Sequence, residues 1–158
     1  MKRILVVGIG NRLMKDDGVG LDVVDSVKDR LIKSGIDVIV SETDFDYCLS
    51  LIQPNDFLIL VDAIYSGEKP GHVQIMTLNE VFGNQSPSLS FHEQSIIDGL
   101  VTYYPNLEGY LIGIEVAQIS YGLELSEILN AEFNKICDKV FRLIFIINNQ
   151  VNFSNKNI

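Results

Sequence analysis

The segment ILVVGIGN at residues 4–11 decides the fold class of this chain of 158 residues. Its first four residues are continuously apolar, which is typical of a strand buried on both faces of a sheet. Two glycines, Gly8 and Gly10, end the apolar run, and DDGVG at residues 16–20 precedes a helical pattern. The order of strand, glycine turn and helix is the opening unit of an α/β fold.

Strands and helices alternate along the rest of the chain. Further apolar runs predict strands at residues 38–40, 57–61, 73–78 and 111–114. Helical spacing of apolar residues lies between them, and the last helix is predicted to start near Ser126. We therefore predict one doubly wound, mainly parallel sheet with helices on both faces, formed by residues 1–148 as a single domain. Residues 149–158 are rich in Asn and predict a flexible tail.

Local signals mark several helix ends. Gly35 follows the first helical pattern at the position of a C-terminal cap. Ser90 and Glu93 have the spacing of a capping box that opens a helix, and Pro105 ends the same helix.

The bulk composition excludes several classes of protein. The chain is 47% apolar, which argues against disorder, and its net charge of −9 disfavours binding to nucleic acid or to anionic membranes. No apolar run approaches the roughly 18 residues of a membrane-spanning helix, and the basic N-terminus lacks the pattern of a secretory signal. Cys48 and Cys137 lie in helix-like segments and predict free core thiols. These features together predict a cytoplasmic protein.

The glycine pair is also the beginning of a dinucleotide-binding fingerprint. Leu13 stands where the third glycine of that fingerprint belongs. Asp16 and Asp17 precede the helix and would repel the pyrophosphate of a dinucleotide. A nucleotide-dependent enzyme is therefore kept only as a less favoured alternative.

Acidic residues follow two of the predicted strands at the same edge of the sheet. Asp16 and Asp17 come before the first helix, where either could serve only as an N-terminal cap. Asp62 comes directly after the apolar run at residues 57–61, where it could simply start a turn. Two acids exceed the need of a cap, and a half-buried carboxylate needs a partner, so both positions are candidate site residues.

His92 lies in the first turn of the helix that Ser90 opens. An isolated histidine is usually an ordinary surface or core residue. The nearby helix N-terminus disfavours the charged imidazole and keeps the neutral form available to a metal. Asp17, Asp62 and His92 would together offer two oxygens and one nitrogen with open coordination positions. Such a set suits a transiently bound transition metal such as nickel better than a structural zinc site.

These residues resemble the maturation endopeptidases of nickel–iron hydrogenases. The resemblance rests on three segments: ILVVGIGN at 4–11, DDGVG at 16–20 and LILVDA at 58–63. It implies that Asp17, Asp62 and His92 contact nickel, and that the substrate contributes this nickel. A monomeric, aspartyl-type endopeptidase is implied, which removes the C-terminal extension of a nickel-loaded hydrogenase large-subunit precursor in the cytoplasm.

The sequence leaves open whether Asp16 has a catalytic role. Its carboxylate could act on the attacking water as a base, or it could merely hold the loop. Cys48 with His92 as its base is a further alternative, although a buried helical thiol is the better interpretation of Cys48.

Two segments depart from the pattern of that family. Residues 41–47 contain no glycine where the family has a glycine- and threonine-rich turn, and EVA at residues 115–117 replaces an expected Pro-Glu pair. These departures concern the choice of substrate, so the hydrogenase that is processed and the bond that is cut stay open. They also motivate a second hypothesis, a chaperone-like relative that binds the metal or the precursor without cleaving it.

Overall fold

The computed structural model describes residues 1–42, 44–83 and 91–156, and the side chains of all of these except residues 91–95. The strands are β1 (Ile4–Ile9), β2 (Asp37–Ser41), β3 (Phe57–Ile64), β4 (Val73–Thr77) and β5 (Glu108–Glu115). The helices are α1 (Val19–Lys33), α2 (Phe45–Leu51), α3 (Leu78–Phe82), α4 (Phe91–Tyr103) and α5 (Glu127–Lys156). A 3-10 turn, Lys15–Gly18, directly precedes α1.

The five strands form one sheet in the order β2-β1-β3-β5-β4. Neighbouring strands are parallel except for β4, which runs antiparallel to β5. From β1 the chain winds outward to β2, and from β3 it winds the other way to β4 and β5. The prediction of a doubly wound, mainly parallel sheet is confirmed. The winding reverses between β1 and β3, and ligands of open α/β sheets bind at the carboxyl ends of strands beside such a reversal.

Alternate residues of the central strands face two separate apolar cores. In β3, Ile59 and Val61 join the core covered by α1 and α5, whereas Leu58 and Leu60 join the core covered by α2, α3 and α4. Burial on both faces explains why these strands have continuously apolar sequences. Because side chains alternate along a strand, Asp62 lies on the same face as Leu58 and Leu60.

The strand bounds differ from the predicted ones, and in two strands the difference has a clear physical cause. β3 continues past residue 61 because Asp62, Ala63 and Ile64 still pair with β5. β4 ends at Thr77, because the side chain of Thr77 caps α3 in a reciprocal capping box with Glu80. The sequence analysis does not predict α3, although Thr77 and Glu80 have the spacing that announces it.

Two helix ends agree with the local signals in the sequence. After α1, Gly35 has a φ of 78°, and its N–H donates to the carbonyl of Ile32, as in a glycine-terminated helix. Helix α4 ends at Tyr103, before Pro105. The predicted capping box of α4 lies outside the described residues.

Helix α5 runs to Lys156, beyond Asn148, after which the sequence predicts a flexible tail. The extension has a physical cause, because Val151 lies one turn after Ile147 and also packs against the core covered by α1 and α5. The side chain of Asn152 donates a hydrogen bond to that of Asn148 over 2.9 Å. Regular structure therefore continues past the predicted domain boundary, and mobility of residues 149–158 stays a prediction.

The length of α5 does not make it a membrane segment. It has 30 residues, and charged and amide side chains occur throughout its sequence. In the part of the chain that the structure describes, no helix is both long enough and apolar enough to cross a membrane.

Candidate functional site

The candidate site lies at the carboxyl ends of β1 and β3, where the winding of the sheet reverses. The pairing of these two strands ends at Gly8 and Val61, so Asp62 is the first residue of β3 beyond it. The turn Lys15–Gly18 follows β1 and contacts β3. Asp17 in this turn is 4% exposed, and Asp62 is 2% exposed. The structure thus places both predicted acids, buried, on neighbouring elements at one edge of the sheet.

Two glycines allow these elements to approach each other closely. A Cβ at Gly20, in the first turn of α1, would lie 2.5 Å from the carbonyl oxygen of Val61 and 2.9 Å from Cα of Asp62. Gly10 has a φ of 150°, and a Cβ there would lie 2.1 Å from the carbonyl oxygen of Asp17. Both positions therefore require glycine, and both hold the acidic turn against the strand ends.

The same contacts argue against the dinucleotide alternative. In a dinucleotide fingerprint, the glycines let the pyrophosphate approach the backbone. Here the backbone of the chain itself occupies the space beside Gly10 and Gly20. The buried side chains of Asp16 and Asp17 add negative charge to the same turn.

Asp62 lies within β3 and does not start a turn. It pairs with Gly113 of β5, and the strand continues to Ile64. Its Oδ1 accepts a hydrogen bond from the N–H of Ala63 over 2.7 Å. The interpretation of Asp62 as a turn residue is therefore wrong, and the strand holds a buried carboxylate on the face that α4 covers.

Asp16 is fully buried and anchors a distant loop. Its Oδ2 accepts hydrogen bonds from the N–H groups of Ala117 and Gln118 over 2.9 and 2.8 Å. Its Oδ1 accepts one from the N–H of Ser126 over 2.7 Å. Because both oxygens are engaged by backbone donors, the geometry favours a loop-holding role for Asp16 over a role as a base.

Neither acid is the N-cap residue of α1. The N-cap residue of α1 is Gly18, and no side chain makes a capping hydrogen bond there. The 3-10 turn also has no side-chain cap at its start, where Met14 is the N-cap residue. Asp16 is buried for a reason other than capping, because its oxygens accept hydrogen bonds from distant backbone N–H groups.

The backbone of His92 lies in the first turn of α4, as predicted. Helix α4 leads through residues 104–107 into the start of β5, so its last turn lies near the amino edge of the sheet and its first turn toward the carboxyl edge. Ile96, Ile97 and Leu100 of α4 belong to the core on the face that Asp62 shares. The helix therefore carries His92 to the same side and edge of the sheet as Asp62.

The side chain of His92 lies outside the described part of the structure. That Asp17, Asp62 and His92 together bind a metal therefore stays a prediction. Among the side chains that are described, no group of three or more His, Cys, Asp or Glu residues is arranged to hold a metal ion. That statement does not include His92.

Glu115 is a buried carboxylate at this edge that the sequence analysis does not identify. It is the last residue of β5. Its Oε1 accepts hydrogen bonds from the N–H groups of Ser66 and Gly67, over 2.9 and 3.0 Å respectively. The hydroxyl of Ser66 donates a further bond over 2.6 Å. Glu115 thereby fixes the loop after β3, and its position directly after an apolar run is the signal that could have revealed it.

The described residues between 41 and 47 include the last residue of β2 and the first turn of α2. The side chain of Asp44 caps α2 by accepting a hydrogen bond from the N–H of Tyr47 over 2.9 Å. Glu42 forms an ion pair with Arg12, which also binds Asp22 over 3.1 Å. The segment therefore contains a capped helix start and an ion pair to the loop after β1.

Cys48 is unsuited to the role of a nucleophile. It is fully buried within α2, and burial raises the pKa of its thiol to about 11. Burial also raises the pKa of the Cys137 thiol. Both cysteines are free and buried, which confirms the prediction of core thiols.

Comparisons with known sequences agree on one group of proteins. Residues 21–143 match the family model of hydrogenase maturation proteases, HycI. The hydrogenase expression/formation protein HupM of Azotobacter chroococcum is 29% identical over 82% of the chain, which spans 65% of that relative's length. A putative hydrogenase maturation protease of Methanocaldococcus jannaschii is 27% identical over 90% of the chain and 94% of its own length.

A solved structure shows the same architecture. The NiFe hydrogenase maturation protease HybD from Thermococcus kodakarensis has a TM-score of 0.71 with this chain at 30% identity. The match covers 89% of this chain and 98% of that one. The sheet and the edge that carries Asp17 and Asp62 therefore belong to an architecture shared over nearly the whole length of both chains.

Proposed function

This chain belongs to the hydrogenase maturation protease family, and from that premise we propose that it removes the C-terminal extension from a nickel-loaded hydrogenase large-subunit precursor. One observation carries the proposal: Asp17 and Asp62 are buried on adjacent elements where the winding of the sheet reverses. Burying carboxylates is costly, and two buried acids gathered at the ligand-binding edge of an α/β sheet are candidate functional groups.

The residues at this edge fit a nickel ion that arrives as part of the precursor. Two carboxylate oxygens, from Asp17 and Asp62, and one imidazole nitrogen, from His92, are ligands that a divalent transition metal accepts. Three protein ligands leave coordination positions for groups of the precursor. A nickel ion supplies Lewis acidity, which polarises a carbonyl or acidifies a water. Cleavage would then take place only after the metal has been installed.

The residues of the chain would hold the metal in place and carry out the proton transfers. Hydrolysis of a peptide bond needs a group that accepts a proton from water and a group that gives one to the leaving amine. Asp16 is engaged by three backbone N–H groups and is not assigned to either task. We assign metal contact and proton transfer to Asp17, Asp62 and His92, which makes the proposed activity an endopeptidase of aspartyl type.

The proposed reaction takes place in the cytoplasm and needs only a monomer. Cys48 and Cys137 are both free, as expected of thiols in a reducing compartment. The acids at the site come from one chain, so a second copy is not needed to complete it.

The intact mass of a nickel-loaded large-subunit precursor, before and after incubation with this protein, tests the proposal. We expect loss of a C-terminal peptide from the loaded precursor and no loss from a nickel-free preparation. Asp17→Ala, Asp62→Ala and His92→Ala should each abolish the loss. Asp56→Asn is the matched control, because Asp56 is equally buried but binds Arg3 at the opposite edge of the sheet.

Each result has a distinct meaning. Full processing by all three site variants would refute the assigned site. An unchanged mass for every loaded precursor, together with retained binding, would replace the peptidase by the binding-only relative that residues 41–47 motivate. Equal cleavage of loaded and nickel-free precursors would keep the peptidase and remove the metal checkpoint.

A further inference from the structure

The turn that carries Asp17 is tied to a loop far away in the sequence. The loop is the connection between β5 and α5, residues 116–126. Three of its backbone N–H groups, those of Ala117, Gln118 and Ser126, donate to the carboxylate of Asp16 at 2.7 to 2.9 Å. A single buried side chain, that of Asp16, therefore accepts hydrogen bonds from both ends of this loop.

Backbone hydrogen bonds join the same two segments directly. The N–H of Lys15 donates to the carbonyl of Gly122 over 2.9 Å, and the N–H of Gly122 donates to the carbonyl of Leu13 over 2.8 Å. The N–H of Asp16 donates to the carbonyl of Gln118 over 3.2 Å. The segment before α1 and the segment before α5 thus form one hydrogen-bonded unit at the carboxyl edge of the sheet.

Asp17 is the next residue in the turn that Asp16 anchors. On one side, the turn is fixed through the side chain of Asp16. On the other side, the carbonyl of Asp17 lies against Gly10, and the first turn of α1 lies against Val61 and Asp62. The orientation of Asp17 in the turn therefore depends on both sets of contacts.

We infer that Asp16 is a positioning residue, which acts through Asp17 and fixes the geometry with which Asp17 meets the nickel-loaded precursor. This inference rests on the proposed function. Asp16 does not itself need to touch the substrate, because its oxygens face the N–H groups of residues 117, 118 and 126. Residues that orient a metal-contacting side chain typically change affinity or activity by about 10- to 100-fold when they are replaced.

The charge and shape of a carboxylate are specific to this task. Asn at residue 16 could keep the two bonds to Ala117 and Gln118 through its amide oxygen. Its NH2 group would then face the N–H of Ser126, and two donors would meet. The variant Asp16→Asn therefore changes one of the three anchoring bonds while the size of the side chain stays the same.

The experiment compares purified wild-type protein with Asp16→Asn, Asp17→Ala and Asp56→Asn. The affinity for nickel-loaded and for nickel-free precursor and the kcat for processing are measured for each, at equal concentrations of folded protein. We expect Asp16→Asn to lower the preference for loaded precursor, or kcat, by about tenfold or more, and Asp17→Ala to abolish processing. Asp56→Asn loses a comparable buried carboxylate and should keep both values, since its partner Arg3 lies at the other edge.

A second pair of variants serves if Asp16→Asn does not fold. Ser126→Pro removes the N–H that donates to Oδ1 of Asp16, and residue 126 directly precedes the first residue of α5, so no hydrogen bond within the helix is lost. Ser126→Ala removes only the hydroxyl, which accepts a weak bond from the N–H of Leu129 over 3.4 Å. A positioning role for Asp16 predicts that the proline variant loses activity and the alanine variant keeps it.

The outcomes separate this inference from the proposed function. If wild-type protein processes the loaded precursor and Asp16→Asn matches it in preference and kcat, the positioning role is refuted and the proposed function stands. Wild-type activity in both Ser126→Pro and Ser126→Ala would refute the positioning role in the same way. If wild-type protein neither prefers nor processes the loaded precursor, the proposed function fails, and the inference fails with it.

Discussion

The N–H of Ser126 donates a hydrogen bond of 2.7 Å to Oδ1 of Asp16, across 110 residues of sequence. This contact joins the start of α5 to the turn that precedes α1. In the sequence, Asp16 has the position of a helix cap, and in the fold it is the acceptor that holds two connections together. The carboxylate next to it, Asp17, belongs to the candidate site.

We expect Asp16→Ala to lower the free energy of unfolding by about 3 kcal/mol or more, because three buried N–H groups lose a charged acceptor. Urea denaturation followed by circular dichroism measures this loss. The control is Asp22→Ala, since Asp22 forms only a partly exposed ion pair with Arg12 and should cost less than about 1 kcal/mol. Equal, small losses for both variants would show that the anchor does not exist in solution.

Gly20→Ala is expected to destabilise the fold and to impair processing. Its Cβ would lie 2.5 Å from the carbonyl oxygen of Val61, so α1 must move away from β3, at a cost of about 1–3 kcal/mol. The acidic turn would move with the helix. Gly83→Ala is a suitable control, because the nearest atom to its Cβ would be 3.3 Å away and the residue lies after α3. Thermal unfolding and the mass assay measure the two effects, and a fully active Gly20→Ala protein would contradict the close packing.

The local patterns of the sequence are sufficient for the sheet and for two of the site acids. Apolar runs such as residues 57–61 identify strands buried on both faces, and the residue after such a run lies at the edge where sites form. Asp62 is predictable on this basis, and Asp17 is predictable from its place between the first strand and the first helix. The roles of Asp16 and Glu115 are not, because their partners lie in loops 48 to 110 residues away, and no local pattern encodes that distance.

The extent of α5 shows a different limit of such patterns. The Asn-rich composition after residue 148 predicts a helix end, yet Val151 packs on the core, and the helix continues. One partly buried apolar side chain in a segment rich in polar residues gives too weak a periodic signal to outweigh composition. Packing against the rest of the fold decides such cases.

Glu115→Gln is expected to loosen the loop that follows β3. The carboxylate accepts bonds from the N–H groups of Ser66 and Gly67 and from the hydroxyl of Ser66, and the amide can accept only part of them. Hydrogen exchange at the amides of residues 66 and 67 should speed up, with a stability loss of about 1–3 kcal/mol. Glu108→Gln, at an exposed ion pair with Lys2, should leave both unchanged. Unaltered exchange in Glu115→Gln would refute the assigned role.

The free energy of unfolding should fall between about pH 9 and pH 11, because the thiol of Cys48 loses its proton more readily in the unfolded chain. Burial raises the pKa of its thiol from 9.0 to about 11, so the unfolded chain loses this proton at lower pH than the folded one. The folded state is favoured below pH 9, and the contribution of about 2–3 kcal/mol is lost as pH rises to 11. Urea midpoints of wild type and Cys48→Ala across this range measure it. Parallel curves for the two proteins would contradict the shift, and loss of processing in a folded Cys48→Ala would revive the nucleophile alternative.

The segment at residues 41–47 should separate into a structural part and a recognition part. Asp44→Ala removes the cap of α2 and is expected to cost about 1 kcal/mol of stability with little effect on KM. Tyr47 is 60% exposed, so Tyr47→Ala should leave stability within about 0.5 kcal/mol of wild type. If the segment selects the substrate, the KM of Tyr47→Ala for the loaded precursor rises while its kcat is retained. An unchanged KM would mean that Tyr47 takes no part in recognition, and that the departure of this segment from the family pattern serves the start of α2 alone.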